Sequence, residues 1–386
     1  MKKIAIVRGC SLNKFEMQNY EPLTKYFDTT AFYPNDNLNY VTIIRIPKKK
    51  LRSWECLFGR PLSKLIRYPL SLVGYREAMI GLIGELKSYD LVHTAETYTG
   101  YSYQAIKAKE KYGTKVVVTC WENIPFFCEF SNMRSYIKKK VRGNADLFIA
   151  ITERAKEALI YEGVPEEKIT VIPVGIDLNT FKPREKNEEF LKKFNLTKDD
   201  FVVLSIGRLV WDKGVFDVIY AAKRLLLDTE LSDKSIKFVF IGAGPEEKKM
   251  RQLINKLGLA EMVNMAGTHP YTEIPMIHNL ADVFVLPSIP VKDWQEQFGM
   301  VFAEALASGK PVIAGESGSI PEVVGDAGIL VQPNDPLSIY REIKRLILDD
   351  VFRRKYEGLA RQRAEKVFDP EKIALRMKTE YEKLFE

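Results

Sequence analysis

Two segments of this chain carry the residue types and spacing that chemistry on a phosphorylated ligand needs. The first is Gly207-Arg208-Leu209-Val210-Trp211-Asp212-Lys213-Gly214, which follows the apolar run Phe201–Ile206 and precedes an amphipathic stretch. Arg208 then falls at the carboxyl end of a strand and Lys213 at the mouth of the next helix. Two cations so placed can hold a diphosphate, and the glycines let backbone approach it closely. The second segment runs from Glu296 to Gly309 and holds Glu296 and Glu304 on either side of Phe298-Gly299-Met300. A helix starting near Phe298 or Gly299 points the free N–H groups of its first turn at an anion. Glu304 then lies inside the helix beside Phe302 and Leu306, where a carboxylate needs partners. Ribose hydroxyls would supply them, and Glu296, just before the helix, can accept hydrogen bonds from sugar hydroxyls. Taken singly, the first segment also reads as a loop with two surface cations and the second as two unrelated acids. Together they make one coherent donor site for a nucleoside-diphosphate sugar.

The elements that must position these residues alternate short β-branched runs with longer amphipathic stretches. Strand candidates in the first half are Ile4–Val7, Val41–Ile46, Asp90–His93, Lys115–Thr119 and Leu147–Ile151; helix candidates are Lys14–Phe27, Leu72–Lys87, Tyr101–Lys111 and Glu153–Tyr161. Continuous apolar strands between helices predict a parallel sheet covered on both faces. The segment from Pro173 to Pro183 has a glycine and two prolines and reads as a linker. The pattern then restarts, with strands at Phe201–Ile206, Lys237–Ile241, Met262–Met265, Val283–Leu286, Pro311–Ala314 and Gly328–Val331, and a last helix from about Pro370 to Phe385. Two doubly wound α/β units facing each other leave a cleft, and such sheets bind ligands at the carboxyl ends of their strands.

Bulk properties fit that plan. The 386 residues exceed one ordinary core, and 46% hydrophobic with 28% charged residues suits a globular chain. No run of about 18 apolar residues predicts a membrane span. The start, MKKIAIVRGC, has too short an apolar run for a secretory leader, so a cytoplasmic protein is expected. The four cysteines (Cys10, Cys56, Cys120, Cys128) have no C-x2-C spacing and only three histidines accompany them, so free thiols are expected and no metal site. The net charge of +7 is uneven. From Arg45 to Arg76 nine basic residues face one acid, Glu55, and a second cluster is Arg134, Lys138, Lys139, Lys140 and Arg142. Each reads either as a solvated face or as a patch for an anionic partner such as a membrane or a phosphorylated acceptor.

With these motifs quoted, the chain resembles the family 4 retaining glycosyltransferases of the GT-B fold, over nearly its whole length. The resemblance rests on Gly207-Arg208 with Lys213-Gly214, on Glu296 with Glu304, on Ile241-Gly242-Ala243-Gly244-Pro245, on the segment from Ala281 to Ser288, on Gly318-Ser319-Ile320-Pro321-Glu322, and on the bridge from Ile172 to Asp177. It implies two Rossmann-like domains facing a cleft: an acceptor-binding domain over 1–176, a nucleotide-sugar-binding domain over 177–368, and a final helix over 369–386 that packs back on the first. It implies that Arg208 and Lys213 bind the donor diphosphate, Glu304 the ribose and Glu296 the transferred sugar. Phe298, Gly299 and Met300 would offer backbone N–H groups, and Gly267-Thr268-His269 would lie near the nucleobase. Gly207, Gly242 and Gly244 complete the donor set. The first domain departs from the family pattern. Arg8-Gly9-Cys10-Ser11 stands where many members have a glycine pair, and Trp121 stands where many have a histidine. Acceptor candidates are therefore Ser11, His93, Glu96, Trp121 and Glu122.

The expected reaction moves a hexosyl group from UDP- or GDP-hexose to a hydroxyl of a glycan or lipid-linked acceptor, with retention and without metal or cofactor. Arg208, Lys213 and the helix N-terminus would stabilise charge on the departing phosphate, with Glu296 beside them. A nucleotide-sugar epimerase or a glycan phosphorylase on a GT-B scaffold is the alternative. A dinucleotide-dependent oxidoreductase is disfavoured because Glu247 replaces the third glycine of G-x-G-x-x-G. Nothing resembling a nucleic-acid recognition motif accompanies the basic clusters. In the stretch 45–76 the cations alternate with apolar residues such as Trp54, Phe58 and Leu65, which suits a peripheral place on an anionic membrane surface or a loop packed on the first domain.

Overall fold

The computed structural model describes residues 1–37, 41–54 and 77–386. They divide into two compact units: Met1–Gly175 with Pro370–Glu386, and Ile176–Asp369.

The first unit is built on an eight-stranded sheet of β1 (Lys3–Val7), β2 (Asp28–Pro34), β3 (Lys48–Ser53), β4 (Met79–Ile80), β5 (Leu91–Ala95), β6 (Lys115–Cys120), β7 (Leu147–Ala150) and β8 (Ile169–Val171). Its order is β4-β3-β2-β1-β5-β6-β7-β8, parallel except for the β3/β4 pair. Successive residues of a strand face opposite sides, and the two cores follow from this. Ala5, Val7, Val92, Val118 and Phe148 pack on one face, and Ile4, Ile6, Leu91, Val117 and Ile149 on the other. The second face is covered in part by the C-terminal helix Pro370–Lys383, which buries Ile373, Ala374, Met377 and Tyr381 there. The helix Gly100–Tyr112 starts where the Thr99 side chain accepts from the Ser102 N–H and stops at Gly113, whose φ of 78° ends it in the left-handed region.

The second unit carries β9 (Phe201–Ile206), β10 (Ile236–Ile241), β11 (Val263–Gly267), β12 (Val283–Leu286), β13 (Val312–Gly315) and β14 (Gly328–Val331) in the parallel order β11-β10-β9-β12-β13-β14. From β9 the chain winds outward one way through β10 and β11. From β12 it winds the other way. The strand order thus reverses between β9 and β12, and loops leaving adjacent strands at such a reversal diverge and open a crevice. In the first unit the same reversal falls between β1 and β5.

Several expected elements differ. Val41–Ile46 is a turn rather than a strand: Ile44 and Ile46 are buried as anchors, and the pairing is taken by β2 and β3, whose Thr-, Pro- and Lys-bearing sequences hide them. Lys14–Phe27 is broken into the short helix Lys14–Met17 and a 3-10 turn Glu21–Lys25 at Pro22, which lacks an N–H. Of Leu72–Lys87, residues 72–76 lie outside the described residues. The remainder is β4, Gly81 at φ 81°, and a single turn Leu82–Glu85. Most of the basic stretch, 55–76, also lies outside them, as does Cys56. Arg45, Lys48, Lys49, Lys50 and Arg52 are exposed. Cys10, Cys120 and Cys128 are free thiols. No helix among the described residues is long and apolar enough to cross a membrane.

Candidate functional site

The loops leaving β9 and β12 line that crevice in the second unit, and side chains from the two meet across it. Lys213 closes a 3-10 turn, Trp211–Lys213, and Gly214 at φ 67° opens the helix Val215–Leu226. A Cβ on Gly214 would sit 2.2 Å from the Pro287 carbonyl oxygen, so only glycine lets this turn lie against the end of β12. The result places the Lys213 ammonium 2.5 Å from Glu296 Oε2. The Ser288 hydroxyl donates to the same oxygen at 3.2 Å. Lys213 also lies over the Trp294 ring, 4.3 Å from its centroid. Both members of the pair are buried, 8% and 9% exposed.

Glu296 is held by its own backbone as well. Its carbonyl accepts from the Ser319 N–H at 2.8 Å, and a Cβ on Gly318 would come within 2.1 Å of that carbonyl oxygen. The motif at 318–322 therefore buttresses the Glu296 loop. Gly299, at φ 74°, then opens the helix Met300–Ala307; its carbonyl accepts from the Phe302 N–H at 2.9 Å, and the N–H groups of Met300 and Val301 have no acceptor within the helix. The Phe298 ring is buried against Phe368, which leaves its backbone as the part that faces the loop.

One helical turn further on, Glu304 is 5% exposed and accepts from the Tyr271 hydroxyl at 2.9 Å. Burial, and next the charge of Glu304, push the Tyr271 phenol up, so it stays a donor. His278 Nε2 lies 3.7 Å from Glu304 Oε2, too far for a hydrogen bond.

The glycines of the β9 and β10 loops are shape requirements. A Cβ on Gly242 (φ 136°) would lie 1.9 Å from the Gly207 carbonyl oxygen, and one on Gly244 would lie 2.2 Å from that of Leu209. The two loops are stitched by the Leu209 N–H donating to Ala243 at 3.0 Å. Arg208, between them, is exposed and has no side-chain partner among the described residues. Thr268 is exposed beyond β11. The His269 ring is turned away into a hydrogen bond with Glu273 at 2.7 Å and an edge contact with Phe194.

In the first unit, Ser11, Glu96, Trp121 and Glu122 lie just past the carboxyl ends of β1, β5 and β6. Glu96 has φ 62°, a left-handed conformation strained for a residue with a Cβ, and accepts from the Trp121 N–H at 2.8 Å. Lost hydration, reinforced by Glu122, pushes its carboxyl up to about 7 against opposing pulls from the Trp121 N–H, Arg8 and Lys138. Glu122 accepts from the N–H groups of Asn123 and Ile124, which shapes its turn.

His93 requires a correction. It is 1% exposed, with Nδ1 hydrogen-bonded to the Tyr381 hydroxyl and Nε2 to Thr119 Oγ1 at 2.6 Å. Burial, then the Arg8 charge, pushes it down to about 3, so it is a neutral tie between β5, β6 and the C-terminal helix rather than a group facing a ligand.

Sequence reasoning missed Tyr271 and Ser288 as partners of the two glutamates, and Trp294 as the ring beneath Lys213. It also passed over Arg8 at the β1/β5 reversal, buried against Glu16. The signal for Arg8 was an arginine directly after an apolar first strand. The basic cluster after β6 also divides: Lys138 is buried and paired with Glu162 at 2.5 Å, so it belongs to the interior.

The profile for glycosyl transferases group 1 matches residues 186–363, and that for Glycosyltransferase Family 4 matches residues 32–180. A D-inositol 3-phosphate glycosyltransferase from Thermobifida fusca is 29% identical over 288 residues, 69% of this chain and 64% of its own. One from Catenulispora acidiphila is 33% identical over 217 residues, 53% of this chain and 50% of its own. The chain thus spans half to somewhat under two thirds of the length of these curated relatives. Among solved structures, Anabaena HepE in complex with UDP superposes with a TM-score of 0.78 at 21% identity, covering 99% of this chain and all of the other. That likeness shows the fold, two parallel-sheet α/β domains of the GT-B type.

Proposed function

The chain belongs to the group 1, family 4 glycosyltransferases, and on that premise we propose that it transfers a hexosyl group from UDP- or GDP-hexose to a hydroxyl of a glycan or lipid-linked acceptor, with retention and without a metal ion. The observation that carries the reading is the Lys213–Glu296 pair beside the Gly299 helix start, at the strand-order reversal of the second unit. In the proposed reaction the bond from the sugar's anomeric carbon to the phosphate oxygen breaks and charge gathers on the leaving diphosphate. Lys213 exchanges its carboxylate partner for that diphosphate, Arg208 closes on it from solvent, and the first-turn N–H groups complete the cradle. Three positive sources supply what a divalent cation would otherwise supply. Glu296, released from Lys213, accepts hydrogen bonds from the sugar, and Glu304 accepts from ribose. The acceptor oxygen bonds to the anomeric carbon on the face the diphosphate leaves, and its proton passes to a phosphate oxygen. Glu96, Trp121, Glu122 and Ser11 are the proposed acceptor contacts.

HepE was solved with UDP and with UDP-glucose, so uridine donors are the first to test. The relatives named for an inositol phosphate make that the first soluble acceptor. The experiment is nucleotide release from UDP- and GDP-hexoses with EDTA present, with and without acceptor, followed by assignment of the product's anomeric configuration. Acceptor-dependent release with a retained product is expected. Turnover abolished by EDTA and restored by a divalent ion would sink the metal-free reading. No release from any nucleoside-diphosphate sugar with a panel of acceptors would sink the transferase itself.

A further inference from the structure

His278 is a buried side chain that the proposed reaction does not use. It stands in the last turn of the helix Ile274–Leu280 of the second unit and is wholly shielded from solvent. Phe181 and Phe284 flank its ring, with centroids 6.1 and 5.6 Å away. The helix is tied down by the next residue. Asn279 donates to the Lys182 and Pro275 carbonyls at 3.0 and 2.8 Å and accepts from the Arg184 N–H at 2.7 Å. The setting is one for an apolar ring, yet it holds an imidazole whose Nδ1 and Nε2 both lack a hydrogen-bond partner among the described residues. An imidazole always carries at least one N–H, and a buried N–H left unpaired works against folding. Buried polar groups are nearly always satisfied, so this exception asks for an explanation.

An acceptor is close at hand. Glu304 Oε2 lies 3.7 Å from His278 Nε2, just beyond bonding range, while Oε1 accepts from the Tyr271 hydroxyl at 2.9 Å. Among the described residues, Oε2 has no hydrogen bond of its own. Held at one oxygen, a carboxylate can still turn about the bond that carries it. Held at both, it presents a fixed plane, which a group that must meet two ribose hydroxyls needs. Closing the gap to an ordinary N–H···O distance of about 2.9 Å is a side-chain adjustment.

We propose that His278 is a positioning residue for ribose recognition: as the nucleotide binds, its Nε2–H donates to Glu304 Oε2 and fixes the carboxylate that takes the ribose hydroxyls. A carboxylate has about four acceptor positions, enough for Tyr271, His278 and a ribose diol together. The imidazole then has the partner that its burial demands, and ribose recognition is coupled to the packing of the helix Ile274–Leu280. The proposal rests on the reading that Glu304 accepts from ribose, and it names the side chain that aims it.

Calorimetric titration of the full-length protein with UDP and GDP, each beside its 2′-deoxy form, tests it. His278→Phe should weaken the ribonucleotide at least roughly ten-fold, as when one hydrogen bond to a charged group is lost, and its 2′-deoxy form less. Urea unfolding without nucleotide should stay the same or move to higher urea, because an apolar ring replaces an unpaired polar one. His278→Gln, whose amide nitrogen reaches the place of Nε2, should restore most of the preference for ribose. Wild-type affinity in His278→Phe, equal weakening of both nucleotide forms, or a glutamine variant no better than the phenylalanine one overturns the proposal. A second measurement needs no variant. The chain has three histidines, and saturating the wild type with the ribonucleotide should move one imidazole N–H proton resonance downfield and slow its exchange; no response from any histidine overturns the proposal too. A wild type with no preference for ribose brings down the reading of Glu304 and this proposal together, whereas a preference that His278→Phe leaves intact brings down this proposal alone.

Discussion

Lys213 and Glu296 lie 83 positions apart in sequence and meet at 2.5 Å, because one follows β9 and the other β12, the two neighbours between which the strand order reverses. Both are buried, and dehydrated pairs of this kind contribute little net stability while being costly to break on one side. Their value lies in what they hold ready. The Lys213 side chain is held at the mouth of a helix, with Trp294 beneath it, where in the proposed reaction an incoming diphosphate replaces the carboxylate.

Breaking the pair from one side therefore differs from removing it. Lys213→Ala leaves the buried Glu296 carboxylate without this ammonium, and should cost about 3 kcal/mol of unfolding free energy. Donor turnover should fall by roughly 10²–10³-fold, as when one stabiliser of developing charge is lost. The double variant Lys213→Met with Glu296→Gln should recover most of the stability and none of the turnover. Urea unfolding of the second unit, read beside nucleotide release, separates the two. A double variant as unstable as the single one would show that the pair is structural.

The Tyr271–Glu304 contact makes a prediction about the nucleotide. Tyr271→Phe removes the hydrogen bond to a buried carboxylate and should weaken nucleoside-diphosphate binding by roughly 10- to 150-fold, the equivalent of about 1.5–3 kcal/mol for a bond to a charged group. If Glu304 accepts from ribose, Glu304→Ala should weaken it further and erase the preference for a ribonucleotide over its 2′-deoxy counterpart. Calorimetric titration of both nucleotides measures this. A preference that survives Glu304→Ala would place the ribose elsewhere.

The second unit was the more legible half. Its strands are continuous apolar runs such as Val283–Leu286, and its proposed donor residues sit in loops fixed by adjacent glycines. Residue type and spacing therefore singled out Lys213, Glu296 and Gly299 as candidates. The partners were not legible. Tyr271 reaches Glu304 and Ser288 reaches Glu296 through tertiary packing, and no local period encodes that. In the first unit β2 and β3 lack an apolar run, and their pairing is set by neighbours rather than by propensity. His93 was misplaced for a related reason. A histidine at a strand end looks available until the Tyr381 hydroxyl arrives from a helix 288 positions away.

Backbone contact between the β9 and β10 loops predicts an unusual sensitivity at Gly242. An alanine Cβ there would fall 1.9 Å from the Gly207 carbonyl oxygen, at a φ of 136° that L-residues avoid. Gly242→Ala should force Gly207 and Arg208 out of place, with a loss of at least about 2 kcal/mol and turnover reduced more than stability alone accounts for. Gly258→Ala is the control: it also has positive φ, 67°, but nothing within 4 Å of the added Cβ, so it bears the conformational cost without the collision. Equal effects of the two on unfolding and turnover would show that the contact with Gly207 is immaterial.

Glu96 and His93 predict opposing pH dependences that partly cancel. The folded-state value of Glu96 is raised from 4.5 to about 7, so between those pH values the native state binds more protons than the unfolded one. Stability should fall as pH rises through that window, and the full penalty is present above it. His93 is depressed from 6.5 to about 3, so there the unfolded state binds more protons, and stability should rise with pH up to about 6.5. From 4.5 to 6.5 the two slopes oppose, each up to about 1.4 kcal/mol per pH unit. The first unit should therefore look nearly indifferent to pH in that range, losing stability below it through His93 and just above it through Glu96. Glu96→Gln should unmask a steady rise to pH 6.5 and remove the decline near neutrality, whereas His93→Gln should leave only the decline. Unfolding free energies at half-unit steps of pH for the three proteins give the answer, and a wild-type curve that Glu96→Gln leaves unaltered would show that this carboxyl ionises normally in the folded chain.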